Sequence, residues 1–219
     1  MTPDLPPLKP LHALLVLLSA ALLLALQLIP DVPELLRFSR PAFDAGKGWQ
    51  LLSAQFVHLS LGHAALNAAA LAVSLLAWRV WVALPAQCVA LAGGALGVVL
   101  VLVLDGDCLF YAGLSGALHG LWAGNAVYLM QARSPQGGLV TSSTADSLPG
   151  RRVMAAGVLL ALVGKLLLQG ADAASAFDAW LQIPVYRPAH WAGLGGGLVA
   201  ASLVLMLGHE PATARGQGQ

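Results

Sequence analysis

The chain has 219 residues, of which 58 % are hydrophobic and only 10 % charged, with a formal net charge of +1. Soluble domains carry about a quarter charged residues, so this composition excludes an ordinary water-soluble fold, and the near-neutral balance provides no basic surface for nucleic acid. The two cysteines, Cys88 and Cys108, are too few for a disulfide framework; on one helix they would stand roughly 25–30 Å apart, far beyond the ~7 Å a bridge tolerates, and both are expected as free thiols.

Six stretches approach the ~20 apolar residues that a membrane-spanning helix needs. A short N-terminal segment, residues 1–10, precedes the first of them, residues 11–29 (LHALLVLLSAALLLALQLI). That run exceeds the ~7–15-residue core of a signal peptide and no A-x-A site follows it, so it reads as a retained span. Residues 30–57 mix Pro33, Pro41, Gly46 and Gly48 with Leu35, Leu36, Phe38, Phe43 and Trp49, which suits an outer loop lying in the membrane interface. The second span covers residues 62–82 and is broken by Pro85; the third covers 86–104, the fourth 113–130. Between the third and fourth, the acidic LDGDC around Asp105 and Asp107 reads as a loop turn rather than a cation site. Residues 132–152 are rich in Ser, Thr, Gly and Pro and read as a mobile inner loop. The fifth span covers 153–169 and the sixth 189–207, and a tail, residues 209–219 (HEPATARGQGQ), reads as disordered. Six spans put both termini on one side. With the termini inside, Lys9, Arg79, Arg133, Arg151, Arg152 and Arg215 fall in inner segments and Arg37, Arg40, Lys47 and Arg187 in outer ones, a bias toward cytoplasmic termini.

Polar groups inside a bilayer are costly and face a partner or a water-filled cavity. Here they are His58, His63 and Asn67 at the start of the second span, Ser115, His119 and Asn125 in the fourth, Lys165 in the fifth and His190 opening the sixth. Spans two, four and six start at the same face, so His63, Ser115 and His190 share a shallow depth. Small residues repeating every four positions let helices in lipid approach closely; Gly116, Gly120 and Gly124 repeat in this way, and Gly193 and Gly197 continue the face of His190. Such packing can bring an imidazole within the ~2.6–3.2 Å that a nucleophile–base hydrogen bond requires. His63 and Asn67, four residues apart, present two N–H donors on one helix face, as an oxyanion would need. His119, one turn after Ser115, is a rival base; side chains at i and i+4 both lean toward the helix N-terminus, so the freer geometry belongs to His190.

The sequence HLSLGHAALN, then GLSG, then HWAGLGGG, on alternate spans, resembles the rhomboid intramembrane serine proteases, and GLSGALHG resembles their rhombosortase branch. The likeness runs from about Trp49 to Ala201. It implies an all-α membrane protein, a six-transmembrane-helix rhomboid-like bundle. It implies Ser115 as nucleophile, His190 as general base, and His63, Asn67 and the Ser115 backbone N–H as the oxyanion hole. Gly113 matches the first glycine of G-x-S-G with Gly116 the last; Gly193 and Gly197 match small residues packing span six on span four, and His58 a supporting histidine. No third acid is implied. Two positions depart from the pattern: Trp49-Gln50 stands where many rhomboids have Trp-Arg, and His119 where a tyrosine commonly stacks on the base. The resemblance further implies substrates that are membrane-anchored exported proteins with a C-terminal glycine-glycine motif, an apolar span and a basic tail. They would be cut near the periplasmic face of a bacterial inner membrane, with water or an amine resolving the acyl-enzyme. No metal or organic cofactor is implied, no H-E-x-x-H motif is present, and a monomer is expected. Two other readings are a multi-pass haem protein using His63, His119 and His190, and a catalytically inactive rhomboid-like binding protein.

Overall fold

The computed structural model describes residues 8–130, 148–170 and 185–207, most of them helical. The long helices are α1 (Pro10–Leu28), α5 (Leu61–Trp78), α6 (Leu84–Leu104), α7 (Ser115–Met130), α8 (Leu148–Gly170) and α9 (Arg187–Leu207). Between α1 and α5 lie α2 (Val32–Leu36), the two-residue strand β1 (Phe38–Ser39), α3 (Arg40–Asp44) and α4 (Gln50–Ser53). Five helices, α1, α5, α6, α8 and α9, are long and apolar enough to cross a membrane, as an all-α membrane protein requires. The helix α7 has sixteen residues, about 24 Å at 1.5 Å per residue against a hydrocarbon core of about 30 Å.

Local sequence explains where these helices begin. The Ser60 hydroxyl accepts the His63 backbone N–H at 3.1 Å, capping α5. Pro85 and Pro149 sit in the first turns of α6 and α8, where a missing N–H costs nothing. Two boundaries therefore differ from the sequence reading. Residues 148–152, expected in the inner loop, are the first turn of α8, because Leu-Pro-Gly starts a helix there instead of interrupting one. The second span ends at Trp78, and Arg79 to Val82 form the turn into α6, so Pro85 opens the third helix rather than closing the second. Residues 131–147 and 208–219, which hold the remaining predicted inner loop and the tail, lie outside the described residues.

α7 is the centre of the molecule, touching α5, α6, α8 and α9. Twelve of its sixteen residues are buried, so it packs on all sides, as a helix with Ser, His, Asn and three glycines must if it is not to meet lipid. Gly116, Gly120 and Gly124 lie against Ala189, Gly193 and Gly197 of α9, and Gly120 and Gly124 also against Gly94 and Ala90 of α6. From its own side α6 contributes Gly93 and Gly97, packed on Gly196 and Ala192 of α9. Three helices thus meet backbone to backbone. The stretch ALAGGALG carried this signal, with Gly93 and Gly97 four apart.

The segment between α1 and α5 is tied down by specific polar contacts. β1 pairs antiparallel with β2 (Phe110–Tyr111), Phe38 facing Tyr111 and Ser39 facing Phe110. This fixes the loop that leads into α7. Gln50 is buried: its Oε1 accepts the Ser39 N–H at 3.2 Å and its Nε2 donates to the Leu35 carbonyl at 3.0 Å. Arg40 is anchored nearby: its Nη2 donates to the Leu102 carbonyl and, at 2.6 Å, to the Asp105 carbonyl at the end of α6. Its guanidinium also lies over the rings of Phe38 and Phe43 at 5.0 and 5.3 Å. Asp105 closes the expected turn by accepting the Asp107 N–H at 3.0 Å, and it accepts the Tyr186 hydroxyl at 2.5 Å, tying the approach to α9 to the end of α6. That hydroxyl bond, followed by the bond from Asp107, holds the Asp105 carboxyl below its ordinary value.

Candidate active site

Ser115 is the first residue of α7 and His190 the fourth of α9. Their Oγ and Nε2 atoms are 2.9 Å apart, although the residues are separated by 75 positions. Ser115 is partly exposed while its neighbours on either side, residues 111–114 and 116–121, are buried. The hydroxyl is thus the accessible point of an enclosed stretch.

Gly113 makes the turn that presents it. Its φ is +131°, a conformation that side-chain-bearing residues rarely adopt. A Cβ there would also stand 2.9 Å from Cε1 of His63. The turn is held at both ends, by the Gly113 N–H on the Ala54 carbonyl at 2.9 Å and the Tyr111 hydroxyl on the Gly113 carbonyl at 2.8 Å. As first residue of a helix, Ser115 has a backbone N–H with no acceptor inside that helix.

His63 therefore lies beside the turn that precedes Ser115. Its Nδ1 is buried without a hydrogen-bond partner. Asn67 is 5 % exposed, and its Nδ2 donates to the His63 carbonyl at 3.0 Å, which leaves the second amide hydrogen for another acceptor. His58, 1 % exposed, packs edge-on against the His63 ring with centroids 4.9 Å apart. Burial, and then the neighbouring His63, push its imidazole down to about 3, so it is neutral at physiological pH and supports the site by packing.

His119 does not contact the Ser115 hydroxyl in this arrangement. Its Nδ1 is 2.7 Å from the Ser115 backbone carbonyl, its Nε2 is 3.0 Å from Lys165 Nζ on α8, and its ring stacks on His190 with centroids 4.4 Å apart and planes 23° from parallel. Among the described residues His190 Nδ1 has no hydrogen-bond partner, and no group of three His, Cys, Asp or Glu side chains is arranged to hold a metal ion. Sequence reasoning placed Lys165 inside a span but assigned it no partner. Asn125 is fully buried further along α7 and takes no part in the cluster. Cys88 and Cys108 are both free thiols.

Serine hydroxyl, imidazole and converging N–H donors are the components of acyl transfer through a serine ester. Compared with family models, curated proteins and solved structures, the chain finds no match.

Proposed function

We propose that the chain is an intramembrane serine endopeptidase of rhomboid type, most like the rhombosortases, with a Ser115–His190 dyad. In this reading α7 is the short fourth span of a six-span bundle in a bacterial inner membrane, with cytoplasmic termini and the site opening to the periplasmic side. The observation that carries the proposal is the 2.9 Å approach of Ser115 Oγ to His190 Nε2 across two glycine-packed helices.

The chemistry runs as follows. Ser115 Oγ bonds to the scissile carbonyl carbon as its proton passes to His190 Nε2. His63, the second Asn67 amide hydrogen and the Ser115 N–H hold the resulting oxyanion. Collapse breaks the C–N bond, the His190 imidazolium gives its proton to the leaving amine, and an ester remains on Ser115. Water, losing a proton to His190, attacks that ester and releases the acid, and Ser115 recovers its proton. An amine in place of water would give acyl transfer. Substrates in this reading are exported proteins anchored by a C-terminal glycine-glycine, apolar-span and basic-tail segment.

The stacking of His119 on His190 at 4.4 Å leaves no room for a porphyrin between those two rings, which disfavours a haem ligated by both. Labelling of the detergent-solubilised protein by a fluorophosphonate tests the proposal. Label is expected on wild type and His119→Ala, and not on Ser115→Ala or His190→Ala. A folded wild type that takes no label would overturn the reading and favour a non-catalytic binding protein. Label that survives His190→Ala but not His119→Ala would move the base to α7.

A further inference from the structure

We infer that Lys165 is a positioning residue of this site, holding His119 in one neutral tautomer and thereby seating the His190 ring. The inference rests on the reading of Ser115 and His190 as nucleophile and base.

The tautomer follows from the two contacts of His119. A backbone carbonyl only accepts, so the Nδ1 that lies 2.7 Å from the Ser115 carbonyl carries a hydrogen. The Nε2 atom, 3.0 Å from Lys165 Nζ, then either accepts from an ammonium or, as imidazolium, donates to a neutral amine. Both forms carry one positive charge at one place, so burial costs them similarly. Their difference is set by intrinsic basicity, in which lysine exceeds histidine by about 4 pH units. The proton stays on Lys165 and the His119 ring stays neutral.

His190 needs such support. In a Ser-His-Asp triad the carboxylate orients the imidazole through Nδ1. Here Nδ1 of His190 has no hydrogen-bond partner among the described residues, so no acid among them sets the plane of the ring. What lies against that ring is the face of His119, and His119 is itself pinned at both nitrogens. A neutral His119 can remain stacked when His190 takes the serine proton, whereas a charged one would repel it. The chain from Lys165 through His119 to His190 thus orients the base through its face.

Lys165 is five residues from the end of α8, about 8 Å along the axis, and its stem is exposed. An ammonium that reaches inward from such a position is costly against an apolar residue near mid-bilayer and less so toward the surface. Replacement by Met is therefore expected to leave α8 folded.

The test is ¹⁵N NMR of the imidazoles in full-length protein in micelles, comparing wild type with Lys165→Arg and Lys165→Met. The His119 resonances are identified by their loss in His119→Phe. The chain's six histidines give five others as an internal report on the fold. Wild type and Lys165→Arg are expected to show His119 protonated at Nδ1 and bare at Nε2, and Lys165→Met a mixture of tautomers. In the same three proteins fluorophosphonate labelling is expected to fall at least about tenfold in Lys165→Met, with most of the rate restored in Lys165→Arg. A Lys165→Met protein with unchanged His119 nitrogens, or one labelled at the wild-type rate, would overturn the inference. If wild type took no label the nucleophile reading would fail, while the NMR comparison would still decide whether Lys165 fixes the tautomer.

Discussion

Gly193→Ala adds one methyl group to α9, three residues beyond His190 and on its face. The structure gives the size of the disturbance. A Cβ at 193 would stand 2.5 Å from the Gly116 carbonyl carbon and 3.1 Å from the Gly116 Cα, and closer still to the carbonyl oxygen. Carbon atoms rest at about 3.5–4.0 Å, so α9 must move from α7 by about 1 Å. Both partners are backbone, and neither can rotate away. Gly116 adjoins Ser115, so most of that movement is transmitted to the dyad. The Oγ···Nε2 separation of 2.9 Å becomes about 3.9 Å, which is no longer a hydrogen bond.

Overpacking of this kind costs about 1–3 kcal/mol, and a reacting pair displaced by 1 Å loses about a hundredfold in rate. The assay is the fluorophosphonate labelling rate beside thermal unfolding of the same samples. Gly195→Ala is the control, since a Cβ there meets nothing within 4 Å; it is expected to label and melt like wild type. A folded Gly193→Ala protein that labels at the wild-type rate would refute the reasoning. So would equal losses in the two variants, because the effect would then be one of helix flexibility rather than contact.

Two further outcomes follow from the segment between α1 and α5. His58 is held at about 3 by burial and then by His63, against about 6.5 when unfolded. Between those values the unfolded chain binds the extra proton, so the His58 contribution is complete above pH 6.5 and is lost as pH falls toward 3, at up to about 1.4 kcal/mol per pH unit. Unfolding midpoints measured from pH 7 to 4 should fall less steeply in His58→Gln, and parallel curves would count against the assignment. Arg40→Met removes two hydrogen bonds from carbonyls at the end of α6 and is expected to destabilise by about 1–3 kcal/mol; an unchanged melting temperature would mean that Arg40 does not anchor the segment.

The long apolar runs were legible because a span is mostly a matter of length and hydropathy; their exact ends were not, because Pro85 reads equally as the close of one helix or the opening of the next, and Pro149 as part of a loop until a helix is seen to start there. The pairing of Ser115 with His190 was legible for a different reason: spans of alternating direction bring their starts to one depth, and the glycine stripes indicate which faces touch. Lys165 was not legible in this way. A lone lysine in an apolar helix announces that it needs a partner, but the rotation of α8 about its axis decides which one, and nothing in the run VLLALVGKLLLQ fixes that rotation. The place of Arg40 was hidden by the same limit: only the fold of the segment between α1 and α5 puts its guanidinium on the α6 carbonyls.

The cluster has a common electrostatic sense. Ser115, His63 and His190 are the first, third and fourth residues of α7, α5 and α9, so three helix N-termini are directed toward one small volume. Each carries roughly half a positive charge and favours a nearby anion by about 0.3–1 kcal/mol, more where partly buried. Lys165 adds a full positive charge from α8. No carboxylate of the described residues forms a hydrogen bond with Ser115, His119 or His190, so none of those residues supplies this field with an anion at the dyad. A site built to retain a cation would be arranged with the opposite sign. On the proposed reading, the charge these helix ends favour would be that of an oxygen beside Ser115, negative only while a tetrahedral intermediate exists, and that is the differential stabilisation on which an acyl-transfer catalyst depends.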